Sequence, residues 1–139
     1  MYVIRLAGES DIDFICSFDA IAQHESRRRE GVARSVVAGT CYIAADTQIV
    51  GYATLDYTFY DNGFVSMLYV HPEHRRRGAG TALMKHLESV CHTAKLFTST
   101  NFSNRPMQSL LAKLGYKLSG VIHDLDENDP ELVYVKRLT

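Results

Sequence analysis

The sequence has no tryptophan, only three prolines and three cysteines, and almost no net charge. Each scarcity narrows what the chain can be. A formal charge of -1 over 139 residues gives no general attraction for nucleic acid or an anionic membrane, so any anion site has to be local. Cys16, Cys41 and Cys91 are odd in number, widely spaced and set among apolar neighbours, with no CxxC pair. They read as reduced core residues rather than a disulfide framework or a metal site. The six histidines show no metal spacing either, since His71 and His74 flank a proline in a turn. No apolar run approaches the roughly 18 residues a membrane span needs, and the start, MYVIRLAGESD, carries no secretory pattern. The expectation is one cytoplasmic domain, residues 1–139, with no metal, no membrane and no nucleic acid as partner.

What is present is ordinary for a globular chain: 46% apolar and 22% charged residues, long enough to bury a core. No repeat, low-complexity tract or linker divides it. Tyr2 to Leu6 reads as a short strand. Ser10 reads as the N-cap of a helix with Asp11 and Asp13 in its first turn and Ile12, Ile15, Phe18 and Ile21 on its apolar face. Gln23 to Glu30 is charged and polar, a loop or solvated helix end, and Val32 to Ala38 a second short helix stopped by Gly39. Cys41–Ala45 and Ile49–Leu55 form a hairpin, and Phe64–Val70 is a third strand after the turn Asp61-Asn62-Gly63. Tyr57, Phe59 and Tyr60 read as hairpin and core aromatics.

A helix follows from Gly80 to His92 with Leu83, Leu87 and Val90 at helical spacing, then a strand from Lys95 to Thr100. Ser103 or Asn104 caps a helix with Pro106 in its first turn and Gly115 just past its end. Leu118–Leu125 and Leu132–Val135 close the chain as a strand pair. The order predicts a mixed α/β class, mostly antiparallel around one central β-α-β unit.

Chemistry concentrates where a strand runs into glycine and then into a helix: HPEHRRRGAGTALM, His71 to Met84. Glycines at 78 and 80 allow a tight turn and bring backbone N–H groups close to a ligand. The helix start adds unpaired N–H donors and a partial positive charge, which suits a phosphate or pyrophosphate. Arg75, Arg76 and Arg77 add cations able to pair bidentately with phosphate oxygens. The spacing matches neither a P-loop nor the dinucleotide fingerprint GxGxxG. A solvated basic loop and a nucleic-acid contact compete with the phosphate reading on these residues alone.

The pattern R-x-x-G-x-G after Leu-Tyr-Val-His-Pro, with an apolar helix behind it, resembles the acyl-CoA-binding signature of the GNAT N-acetyltransferases. Asn104 opening a helix that closes on Leu-Gly-Tyr at 114–116 resembles that family's second motif. The element order is similar from first strand to last.

The resemblance implies acetyl-CoA as co-substrate, with its pyrophosphate on Arg75, Arg76, Arg77, Gly78, Ala79, Gly80 and Thr81. Leu68, Tyr69 and Val70 would lie beside the thioester and supply an oxyanion N–H, and Asn104 would bond the pantetheine as well as cap its helix. It implies direct attack by a primary amine of a small molecule or peptide. Many members carry a tyrosine as general acid four residues before the helix-ending glycine, where this chain has Leu111. Some carry a glutamate base where it has Phe64-Val65-Ser66. Ser109, Tyr134 and His123 are weak substitutes for the missing groups. The turn Leu125 to Glu131 carries four carboxylates, of which Asp126, Glu127 and Asp129 are candidates to attract a cationic acceptor; a solvated turn rich in Asp, Asn and Pro is the simpler account of them. An acyl-CoA sensor with little turnover is the alternative to an enzyme, and an exposed hairpin edge is compatible with a homodimer.

Overall fold

Short apolar and alternating runs build seven strands into one mixed sheet. In the computed structural model, which describes residues 1–139, the elements are β1 Val3–Leu6, α1 Ile12–Phe18, α2 Ala20–His24, α3 Ser26–Val37, β2 Cys41–Ala45, β3 Ile49–Phe59, β4 Asn62–Val70, α4 Ala79–Val90, β5 Lys95–Asn101, α5 Arg105–Lys113, β6 Lys117–Ile122 and β7 Glu131–Arg137. The strand order is β1-β2-β3-β4-β5-β7-β6. The β1–β2, β2–β3, β5–β7 and β6–β7 pairs are antiparallel, whereas β4 and β5 are parallel through the crossover helix α4. This is the mixed, mostly antiparallel sheet with a central β-α-β unit that the sequence predicts.

The chain forms two compact units, Met1–Leu55 with Met67–Ser89, and Asp56–Ser66 with Val90–Thr139. In the first, Ile15, Cys16, Phe18, Val32 and Val36 from α1 and α3 share a core with Cys41, Ile43 and Tyr52. Successive strand residues face opposite ways, so the other face of β3 starts at Gly51. A Cβ there would stand 3.0 Å from the Tyr69 carbonyl oxygen and 3.4 Å from Leu83 Cδ1, which is why α4 packs so near the strand. Leu83, Met84 and Leu87 are buried and Val90 is 38% exposed, so Met84 rather than Val90 completes the apolar stripe of α4.

In the second unit, β5 alternates half-buried Phe97 and Ser99 with buried Leu96, Thr98 and Thr100. It pairs with all of β7. The β4–β5 ladder covers Gly63–Val65 against Leu96–Thr98, and Thr98 Oγ1 donates to the Val65 carbonyl at 2.9 Å. A Cβ on Gly63 would meet Cys91 Sγ at 2.5 Å, so the strand start admits no side chain.

The N-terminal helices differ from expectation. Ser10 caps nothing; Gly8 caps a 3-10 turn at Glu9–Asp11, and Asp11 Oδ2 accepts from the Gly8 N–H at 2.7 Å while pairing with Arg5. The helix then breaks at Asp19, whose extended backbone (φ -83°, ψ 104°) starts α2 afresh and leaves Ile21 43% exposed. Of the charged stretch expected as loop or solvated helix end, Gln23 and His24 are the exposed end of α2, whereas Ser26 to Glu30 form the first turns of α3. Two of its four arginines are held by carboxylates on neighbouring elements, Arg28 by Asp19 and Arg29 by Asp13. The β3–β4 turn sits at Tyr60 and Asp61, both with positive φ (52° and 64°), so Asn62 and Gly63 already belong to β4. Tyr60 is exposed at the tip rather than in the core, while Phe59 packs on Phe64 and Phe97.

Candidate functional site

The turn between β4 and α4 is built in three steps. His71 N–H closes the strand on the Val50 carbonyl at 2.7 Å, and His71 Nδ1 accepts from the Glu73 N–H at 3.0 Å to cap a 3-10 turn at Pro72–His74. Arg75 then runs extended, Arg76 takes φ 64° and Gly78 takes φ 91°. Two positive-φ residues in so short a span turn the backbone sharply; glycine bears this freely, and Arg76 bears it at a cost of order 1–2 kcal/mol. The Gly78 carbonyl accepts from the Ala82 N–H at 2.9 Å and begins α4, so Ala79, Gly80 and Thr81 offer N–H groups that no earlier turn can satisfy.

The side chains sort themselves. Arg75 folds back on the strand: Nε donates to the Val70 carbonyl at 3.0 Å and its guanidinium lies 5.2 Å from the centre of the Tyr69 ring. Arg76 and Arg77 are exposed and make no hydrogen bond or ion pair. A Cβ on Gly78 would meet no atom within 4 Å, so the space above it is open. Open space, outward N–H groups, a helix start and two uncommitted guanidiniums suit a pyrophosphate. The sequence-predicted residues 68–70 and 75–81 thus come together in one unit. Arg75 acts first on the strand rather than as a free cation.

Asn104, in the other unit, is exposed and caps α5, Oδ1 accepting from the Met107 N–H at 3.2 Å. That helix ends in a Schellman turn: Tyr116 N–H bonds the Leu111 carbonyl and Gly115 N–H the Ala112 carbonyl, with Gly115 at φ 90°. Leu111 is fully buried and carries no proton to give. Ser109 is exposed on α5, His123 exposed after β6, and Tyr134 half-buried on β7; no hydrogen bond joins any two of them. In the acidic turn, Asp126 accepts from Asn101 Nδ2 at 2.9 Å, and Asp129 from the Ser103 N–H (3.0 Å) and Oγ (2.6 Å). Two of the candidate carboxylates therefore brace the turn onto the β5–α5 connection, and Glu127 is exposed and unbonded.

The sequence reading missed a buried polar cluster. Asp19, with no exposed surface, accepts from the Ile21 and Ala22 N–H groups, from Tyr52 Oη at 2.5 Å and from Arg28 Nε at 3.0 Å. Burial and the Asp19 bond push the Tyr52 hydroxyl well above the ordinary tyrosine range. Burial works against the Arg28 charge, but Tyr52 and Asp19 outweigh it and hold the guanidinium firmly protonated. Arg28 also lies 6.0 Å from the Tyr69 ring centre, on the strand that ends at the turn. The signal was an aspartate inside the otherwise apolar Phe18-Asp19-Ala20-Ile21.

A sequence model of the acetyltransferase (GNAT) family matches residues 12–116. Among solved structures, a GNAT-family acetyltransferase from Bacillus cereus ATCC 10987 is 35% identical, with 99% of this chain and 97% of that chain covered and a TM-score of 0.91. A putative acetyltransferase from Salmonella typhimurium, solved with its cofactor acetyl-CoA, is 16% identical, with 99% and 94% covered and a TM-score of 0.78. Among curated proteins, the human Cysteine-rich protein 2-binding protein is 34% identical over 65 residues, which span 47% of this chain and 8% of that protein.

Proposed function

The chain belongs to the acetyltransferase (GNAT) family, and from that premise we propose that it transfers an acetyl group from acetyl-CoA to a primary amine of a small molecule or peptide. The observation that carries this reading is the β4–α4 turn, with positive φ at Arg76 and Gly78 and open space where a side chain would stand. Acetyl-CoA supplies an activated acetyl thioester. In this reading the N–H groups of Ala79, Gly80 and Thr81, with Arg76 and Arg77, hold the pyrophosphate. Arg75 stiffens the strand end by bonding Val70 and covering Tyr69. A backbone N–H within Leu68–Val70 stabilises the negative charge that develops on the carbonyl oxygen, the largest single contribution in many acyl transfers. Asn104 would add a hydrogen bond from Nδ2 to the pantetheine while Oδ1 keeps its cap.

Proton handling is the open part of the chemistry. Leu111 gives no general acid, but a leaving thiol with a pKa of about 8.5 departs tolerably as thiolate near neutral pH. Water, Ser109, Tyr134 or His123 would take the proton of the amine. Leu111 also favours the second reading, an acyl-CoA-binding module with little turnover. Calorimetry with acetyl-CoA, followed by thiol release across an amine panel, separates the readings. Binding with turnover supports transfer, binding without turnover supports the sensor, and no binding near millimolar concentration removes both. No helix is long and apolar enough to cross a membrane.

A further inference from the structure

An open groove of about 530 Å³ lies over the α2–α3 corner, lined by His24, Glu25, Ser26, Arg27, Arg28 and Arg34. Three of these are arginines against a single carboxylate. Arg27 and Arg34 have no acidic group within ion-pair distance, whereas Arg28 pairs with Asp19 and Arg29 with Asp13.

Arg28 is unlike a surface arginine. Its side chain is only 19% exposed, and Nε is fixed by Asp19 Oδ2 and the Tyr52 hydroxyl. Neither Nη group makes a hydrogen bond, and Arg28 lines the groove. A guanidinium anchored through one nitrogen, with its outer donors uncommitted, has already lost much of the rotamer freedom that binding would otherwise remove. It suits a planar carboxylate.

From this groove we infer a subsite for the carboxylate of the acceptor, which makes the acceptor an amino carboxylate rather than a simple amine. Arg28 connects it to the proposed chemistry, because its guanidinium stands 6.0 Å from the ring of Tyr69 on the strand assigned to the thioester. The inference rests on the acetyl-transfer reading for the identity of the ligand as acceptor, and on the groove alone for its charge.

The test uses ω-acetamido carboxylates with chains of two to six carbons, the acetylated forms of linear amino carboxylates, and the matching primary amides. Binding to the full chain is followed through the arginine Nε–H resonances in nitrogen-15 spectra, with and without coenzyme A. The expected result is one chain length at which the carboxylate binds about tenfold or more tightly than its amide, with a shift at Arg28. In the Arg27→Gln/Arg34→Gln double variant, whose thermal unfolding midpoint shows that it is folded, the preference weakens while the shift at Arg28 remains. Equal affinities, no binding of either series, or a carboxylate preference without a shift at Arg28 overturns the subsite. Acetyl-CoA calorimetry on the same samples reports separately on the coenzyme reading, so failure of one is not mistaken for failure of the other.

Discussion

At the scale of single residues, the chain places its most constrained groups where the sequence looks least unusual. Asp19 stands with no exposed surface and is satisfied by two backbone N–H groups, a hydroxyl and a guanidinium. Removing one donor leaves a buried carboxylate short of a partner. Tyr52→Phe should cost about 1–3 kcal/mol, and Arg28→Met, which strands the charge, about 3–5 kcal/mol; urea unfolding of each variant measures the difference. Cys41 behaves oppositely. Burial pushes its thiol up to about 11, above its unfolded value, so the folded state holds the proton longer. Its contribution is full below the unfolded pKa and is lost as pH rises from there through about 11. Stability should therefore fall on the alkaline side, and Cys41→Ala should flatten that slope in unfolding curves from pH 8 to 11. Labelling by iodoacetamide at pH 8, read by mass spectrometry, should modify Cys91 first, since Cys16 and Cys41 are buried.

Elements were legible where one periodicity ran unbroken. β2 and the start of β3 are the apolar runs on either side of the hairpin turn, and α5 lies between the cap at Asn104 and the αL glycine at Gly115. Both ends can be tested: Asn104→Ala should lower stability by about 1 kcal/mol through the lost cap, and Gly115→Ala by about 1 kcal/mol through forced positive φ. Thermal melts with calorimetric enthalpies check both. The N-terminal helices were not legible, because tertiary pairing overrode local pattern. Asp19 breaks one helix and caps the next, shifting the apolar phase so that Ala22 is buried and Ile21 is not. The arginines of 27–29 read as a solvated face, and nothing local reveals that Arg28 reaches back nine residues to a buried partner. That the chain turns at glycine between β4 and α4 was readable in Gly78 and Gly80; the retreat of Arg75 onto Tyr69 was not, since it depends on where the strand presents that ring.

For the whole molecule, the near-zero net charge makes local geometry decisive. Long-range attraction is weak, so in the proposed reading a polyanionic coenzyme is recognised by oriented N–H groups and a few guanidiniums at one turn. That turn is the central claim, and Gly78 tests it with least ambiguity. Its φ is 91° and no atom lies within 4 Å of where a Cβ would stand, so Gly78→Glu places bulk and negative charge in the cradle with only about 1–2 kcal/mol of backbone strain. The decisive measurement is calorimetric titration of acetyl-CoA into the parent chain and into this variant, with circular dichroism confirming that both are folded. Saturable binding by the parent and a loss of about a hundredfold or more in the variant are predicted from the withdrawn hydrogen bonds and added repulsion. Equal affinity in the two proteins, or no binding by the parent up to about 1 mM, the upper end of ordinary enzyme affinities, would contradict the assignment.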